Sequence, residues 1–217
     1  MIKLAPEGYP FITVFLVITI GTAVFFSWTA ILPFMLTLFM AYFFRDPERV
    51  IPRSDNAFLA PADGKVILIE DLRGEKIPAV IPVQKGDETG YIGVSIFMSP
   101  LDVHVNRAPC DGVVESVVHT PGRFLSAFKH EASLRNENIA MLLDTKYGKV
   151  LVRQVAGFLA RRAVCRVKTG DSLKGGERYG IIKFSSRLDI YLPGNTVIKV
   201  RLGERVKAGE TVLGEIS

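Results

Sequence analysis

The sequence predicts a mainly β domain, a β-sandwich or flattened barrel with little helix, preceded by an N-terminal hydrophobic helical membrane segment. Three observations lead there. No charged residue occurs between Gly8 and Phe44. Beyond Arg45 the chain breaks into short apolar runs, several of them alternating, divided by Gly, Pro and Asp; that is the pattern of strands and turns. Sustained 3.6-residue periodicity is nearly absent from this second part. A chain of 217 residues holds one ordinary domain plus an extra segment. Its mean hydropathy of +0.27 is high because the N-terminus is so apolar.

A membrane-spanning helix needs about 20 apolar residues, and the uncharged stretch is nearly twice that long. Gly21 and Pro33 are expected to interrupt it, proline because it lacks an N–H and clashes with the preceding turn. Ser27-Trp28-Thr29 reads as a turn. The expectation is two helices, about 11–27 and 31–44, forming a hairpin or re-entrant pair, so that residues 1–44 are a membrane anchor. Lys3 on one flank and Arg45, Arg49 and Arg53 on the other favour both ends on the cytoplasmic side. The run is too long for a cleaved signal peptide and no small-residue cleavage site stands out. A hairpin buried in a soluble core is the alternative.

Phe43 to Pro52 exchanges apolar residues for charge and proline, which marks a boundary. Residues 45–60 therefore read as a linker and 61–217 as the β domain. Strands are expected at Lys65–Glu70, Tyr91–Met98, Gly112–Val118, Ile139–Asp144, Val150–Ala156 and Arg162–Val167. A short helix is possible at Ser126–Glu131 or Ala156–Arg161. Pro61-Ala62-Asp63-Gly64-Lys65-Val66 echoes Pro109-Cys110-Asp111-Gly112-Val113-Val114, and the tail from Leu202 to Gly214 repeats glycine before strands. Such patterns suit a small sandwich or flattened barrel. They also suit a lipoyl- or biotinyl-carrier module, although no lysine sits in a carrier's hairpin-tip setting.

Composition narrows the function. Lys and Arg total 27 against 22 Asp and Glu, a net charge of +5. That excess fits an anionic membrane surface. It is scattered rather than gathered into a stripe, which argues against nucleic acid as a partner. Cys110 and Cys165 lie far apart without metal-ligand spacing and read as reduced, buried, small apolar residues. There is no H-E-x-x-H, no Cys/His cluster and no Walker loop, so no metal or nucleotide site is expected. The absence of G-x-S-x-G disfavours a lipid esterase.

Few residues remain to carry chemistry. Asp63 lies in Pro-Ala-Asp-Gly, where Asp-Gly alone is an ordinary hairpin signal. His104 is one of three histidines, with His119 and His130. Arg161-Arg162 could hold a phosphate or be solvated. From Gly180 to Pro193 two strand patterns flank Ser185-Ser186: Ile181, Ile182 and Phe184 before, then Leu188, Ile190 and Leu192 alternating with Arg187, Asp189 and Tyr191, as in a half-buried strand. A tight turn or bulge explains the serine pair. So does a bond that the chain cuts in itself.

A set of motifs in one order speaks to that choice: Phe44-Arg45-Asp46-Pro47, Pro61-Ala62-Asp63-Gly64, Phe97 to Arg107, Pro121-Gly122-Arg123-Phe124, Arg135-Asn136-Glu137, Gln154-Val155-Ala156-Gly157 and Lys183-Phe184-Ser185-Ser186-Arg187. The series resembles the phosphatidylserine decarboxylase proenzymes, in their short bacterial and archaeal form, over nearly everything after residue 43. The resemblance implies a precursor that splits by serinolysis between Ser185 and Ser186, into a large chain 1–185 and a small chain 186–217 that stay together as a heterodimer. It implies that Ser186 becomes a covalent pyruvoyl group. This group forms a Schiff base with phosphatidylserine in the membrane and serves as the electron sink that releases CO2 and yields phosphatidylethanolamine. The usual glycine before the cut is here Ser185, which still supplies the carbonyl but not glycine's backbone freedom.

By the same resemblance Asp63 matches the aspartate of self-cleavage, and His104 matches the histidine of decarboxylation, the proton donor to the substrate Cα. The family's cleavage histidine falls at Arg107, so either His104 does both jobs or Asp63 acts without an imidazole. The expected location is the cell membrane, with the catalytic domain on the cytoplasmic side. A membrane-tethered lipoyl-like module and a non-cleaving homologue are the alternatives.

Overall fold

A computed structural model describes residues 3–52, 54, 56–72, 78, 81, 90–122, 136–157, 162–184 and 186–217. The chain divides into two compact units, Met1–Glu48 and Arg49–Ser217.

The first unit is a helical hairpin. Strand β1 (Lys3–Leu4) leads through a 3-10 turn at Pro6–Gly8 into α1 (Tyr9–Phe26). A second 3-10 turn at Ser27–Ala30 connects to α2 (Ile31–Phe43), which is followed by β2 (Arg45–Asp46). β1 and β2 pair antiparallel, Lys3 opposite Asp46, so both ends of the hairpin lie together. Gly8 is needed there, because a Cβ would lie 2.5 Å from the Phe44 side chain. Phe11 stacks on Phe44 at 5.4 Å, and the Thr19 and Thr37 hydroxyls meet between the helices at 3.3 Å.

Gly21 does not interrupt α1, contrary to expectation; nothing lies within 4 Å of its would-be Cβ, and the helix continues through it. Pro33 does not break α2 either, since it falls in the first turn, where its missing N–H has no intrahelical partner to lose. The exposed helix surface is largely apolar, most of all at the tip: Val24, Phe25, Trp28 and Leu32 are 70–79% exposed.

The second unit is built of strands, as composition implied. In chain order they are β3 (Ala57–Leu59), β4 (Gly64–Leu72), β5 (Tyr91–Met98), β6 (Val105–Arg107) and β7 (Gly112–Thr120). Then come β8 (Asn138–Thr145), β9 (Gly148–Val155), β10 (Ala163–Cys165), β11 (Ser172–Leu173) and β12 (Arg178–Ile182). β13 (Ser186–Pro193), β14 (Thr196–Ile198), β15 (Arg205–Val206) and β16 (Val212–Ile216) complete the chain. An eight-stranded sheet, curled into a half-barrel, runs β11-β7-β8-β9-β13-β5-β4-β15. Two three-stranded sheets, β10-β12-β6 and β14-β16-β3, accompany it.

β13 lies between β9 and β5, both antiparallel to it. Leu188, Ile190 and Leu192 enter the main apolar core with Ile96 and Met98, whereas Tyr191 joins a second cluster with Leu72, Leu142 and Leu151. The expected half-buried strand is thus buried on both faces. Its polar alternates are satisfied internally: Arg187 Nε donates to Asp189 at 2.5 Å and Nη2 to the Ser95 hydroxyl at 2.7 Å.

Three further expectations change. Asp63-Gly64 is not a hairpin tip; it opens β4, where Gly64 has φ +155 and a Cβ would lie 2.1 Å from the Phe97 carbonyl oxygen. Cys165 is half-buried rather than buried, unlike Cys110. Ala156 and Gly157 are not helical, while the helix considered at Ser126–Glu131 lies outside the described residues.

Candidate active site

The chain leaves the three-stranded sheet at Ile182 and enters the eight-stranded sheet at Ser186. Ser186 therefore follows a crossover between sheets rather than a turn within one hairpin. Phe184 has φ +53, a left-handed conformation that a bulky L-residue adopts only under constraint. Ser185 lies outside the described residues. Ser186 opens β13 opposite Met98 and is fully buried. Its side chain shares a face with Met98 and Leu188 by the two-residue alternation of strands. Its Oγ has no hydrogen-bond partner among the described residues. A buried, unpaired hydroxyl is costly in a finished fold, and here it sits beside the strained residue.

His104, also fully buried, precedes β6. A tight turn positions it. The Ser99 amide and hydroxyl both donate to Asp102 Oδ2 at 2.8 Å, the Asp102 amide donates to the Ser99 carbonyl at 2.9 Å, and Arg205 pairs with Asp102 Oδ1. The Asp102 carbonyl then stands 3.0 Å from His104 Nδ1. With its proton on Nδ1, the ring keeps Nε2 as its basic nitrogen. The His104 carbonyl accepts the Ile182 amide at 3.2 Å, which ties the histidine to the end of β12, just ahead of the serine crossover.

Asp63 lies on the other side of β6. The Arg107 amide donates to the Pro61 carbonyl at 2.9 Å, fixing the Pro-Ala-Asp-Gly segment against that strand. Arg49 Nη2 reaches both Asp63 carboxylate oxygens, at 3.0 and 2.8 Å, and the Ala208 amide donates to Oδ1 at 2.8 Å. No imidazole is among these partners. Burial pushes the carboxyl above its ordinary value, opposed by the Arg49 charge and the Ala208 and Arg49 hydrogen bonds, with Asp102 adding to the rise. Arg107, at the position of the family's cleavage histidine, is buried and donates to the Gly176 carbonyl at 2.8 Å.

Arg161 lies outside the described residues. Arg162 is exposed, and its carbonyl accepts the Lys183 amide at 3.1 Å, so it borders the crossover. Sequence reasoning missed Arg49, Asp102, Arg205 and the Ala208 amide as supports. Asp102 stood within a quoted motif, but nothing local signals the other three. A cavity of about 230 Å3 beside Pro52, Cys110, Tyr147 and Gly175 contains none of Asp63, His104 or Ser186.

A family model described as phosphatidylserine decarboxylase matches residues 36–214. The phosphatidylserine decarboxylase proenzyme of Syntrophus aciditrophicus (strain SB) is 47% identical, over 97% of this chain and 96% of that protein. The protein of the same name from Geobacter sulfurreducens is 46% identical over 97% and 95%, and that from Desulfotalea psychrophila 42% over 99% and 97%. With the match spanning both the Asp63 segment and the serine crossover, the chain belongs to the phosphatidylserine decarboxylase family of enzymes.

Proposed function

We propose that this chain is a self-processing, pyruvoyl-dependent enzyme that converts phosphatidylserine to phosphatidylethanolamine and CO2. The observation that carries this reading is Ser186: a buried hydroxyl without a partner among the described residues, at the start of a central strand, two residues after a left-handed Phe184. Ser186 Oγ attacks the Ser185 carbonyl carbon, the C–N bond between the two residues breaks, and an ester replaces the amide. Loss of the Ser186 Cα proton then breaks the Cβ–Oγ bond and frees the chain 1–185 as a carboxylate. The residue left at 186 is hydrolysed to the pyruvoyl cap of the chain 186–217, with release of ammonia. In place, that cap supplies a carbonyl-based electron sink for the electrons released with CO2.

A serine hydroxyl is a weak nucleophile and needs a base. His104 serves, its basic Nε2 fixed by the hydrogen bond at Nδ1, and the same ring then donates the proton to the substrate Cα. Asp63, clamped by Arg49, supports self-cleavage as an anchored carboxyl group. Arg161 and Arg162 hold the head-group phosphate. The apolar hairpin supports a location at the cell membrane, with the catalytic unit on the cytoplasmic side. α2, at 13 residues, is only about 20 Å long, short of the roughly 30 Å hydrocarbon core. With both ends together, the hairpin enters the bilayer and returns to the same face.

Intact mass and a denaturing gel test the core of this reading. Mature protein gives two chains, the small one without a free amino terminus and reactive toward hydrazides, and Ser186→Ala gives one. A single hydrazide-inert wild-type chain sinks it. His104→Gln leaves either uncleaved precursor or cleaved protein without activity; normal maturation and turnover would remove His104 from both roles. Flotation of full-length protein with anionic vesicles tests the hairpin, and recovery in the soluble fraction counts against it.

A further inference from the structure

Two buried polar side chains, Gln154 and Asn106, meet over the face of the sheet that carries Ser186 and are not absorbed by the mechanism. Gln154 lies opposite Leu188 on β9, and Met98 lies opposite Ser186 on β5. β13 runs between them, so Gln154, Leu188, Ser186 and Met98 share one face. Across that face lies Asn106, from β6 in the other sheet, fully buried. Gln154 Nε2 donates to Asn106 Oδ1 at 2.9 Å. Asn106 Nδ2 points the other way, and its partner is Met98 Sδ at 4.0 Å, a weak acceptor at the limit of contact. Asn106 thus bridges β9 to β5 over β13, at the rungs of residues 186 and 188.

The arrangement is built. Gly180 admits the Gln154 amide, since a Cβ there would lie 2.9 Å from Nε2 and 2.4 Å from the Val164 carbonyl oxygen. Gln154 also fixes which way Asn106 faces: with the Asn106 oxygen engaged, its amide hydrogens are turned toward the Met98–Ser186 rung. There they meet the Met98 sulfur; Ser186, whose hydroxyl has no hydrogen-bond partner among the described residues, lies opposite Met98 on the same rung. A strong buried donor left, among the described residues, with only a weak acceptor is expensive to keep, unless a better acceptor forms during the reaction.

We propose that Asn106, oriented by Gln154, is a catalytic hydrogen-bond donor to the oxygen of Ser186, stabilising the charge that develops on it as the chain is severed. The proposal rests on the self-cleavage reading above. In its second step the Cα proton of residue 186 leaves to a base, the Cβ–Oγ electron pair goes to oxygen, and that oxygen departs as part of the Ser185 carboxylate. Negative charge grows there inside a buried site. A preorganised neutral amide meets that charge, as oxyanion-hole donors do, and removing one such donor slows a reaction by about 10²–10³-fold. Gln154 acts as a positioning residue, through Asn106.

The test is precursor maturation followed by gel and intact mass, with and without hydroxylamine, which cleaves esters but not amides. Asn106→Ala and the near-isosteric Asn106→Asp, which keeps an acceptor for Gln154 but loses the amide hydrogens, are expected to mature about 10²–10³-fold more slowly. Their uncleaved chains are expected to be split by hydroxylamine between residues 185 and 186, giving a small chain with a free amino-terminal serine. That trapped ester places the defect after the attack, an outcome that loss of fold does not produce. Melting temperature, checked in parallel, should hold for Asn106→Asp. Maturation of either variant at the wild-type rate overturns the proposal, as does a slow Asn106→Asp chain that melts normally and resists hydroxylamine. If wild type itself remains one chain, the self-cleavage reading has failed instead.

Discussion

Arg49 grips Asp63 at two points, with Nη2 3.0 Å from one carboxylate oxygen and 2.8 Å from the other, while Nη1 reaches Glu210 at 3.4 Å. The two side chains are only 7% and 14% exposed. Removing one partner of such a pair strands the other, at a cost of about 3–5 kcal/mol. Arg49→Ala is therefore expected to lower precursor stability by about that amount, read as a shift of the urea midpoint in the Ser186→Ala background. An unmoved midpoint would mean that solvent replaces the guanidinium without loss.

Asp63 also gives stability a pH dependence. Burial raises its folded value above the unfolded one, despite the opposing Arg49 charge. The folded chain thus holds this proton more tightly than the unfolded chain. Asp63's contribution is fully present below the unfolded value and is lost as pH rises through the folded one. Subtracting the melting profile of Asp63→Asn from that of the parent protein should leave a curve that falls with pH across this window. A difference that rises with pH would reverse the sign of the shift.

The left-handed Phe184 stores strain close to the bond proposed to be cut. For an L-residue this conformation costs roughly 1–2 kcal/mol, and glycine adopts it without penalty. If attack releases the strain, Phe184→Gly slows self-cleavage by roughly 5–30-fold, at about 1.4 kcal/mol per tenfold. Equal or faster cleavage in a time course would show that the strain plays no part in the rate.

The two thiols should separate cleanly by reactivity. Burial, with the nearby Asp111 charge, pushes Cys110 up to about 12. Cys165 is also raised, chiefly by burial, but is half-buried and hydrogen-bonds to the Val167 carbonyl. Because the thiolate is the reactive form, iodoacetamide at mildly alkaline pH should label Cys165 first and Cys110 only on unfolding. Mass mapping that finds Cys110 labelled first would contradict the burial order.

Much of this was legible in the residues. The uncharged run before Phe44 announced the hairpin, and the short alternating runs announced the strands. Asp63, His104 and Ser186 were singled out as candidates by ordered motifs that include their neighbours. What escaped depended on distant partners. Arg49 and the Ala208 amide meet Asp63 from far along the chain, and no local pattern records such a meeting. Arg187 and Asp189 looked like a solvated face, because alternation reports polarity and not burial; only the register with Ser95 shows that they neutralise each other inside. Gly21 misled because an isolated glycine weakens a helix without ending it.

β13 begins at the residue of the proposed cut, yet it is zipped along its length to β5 and over most of it to β9. A nick at its first residue cuts no rung of either ladder. Downstream, β15 and β16 clasp β4 and β3, strands that belong to the other fragment. Maturation can then sever the polymer without dismantling the architecture, and the two pieces should part only under conditions that melt the whole sheet.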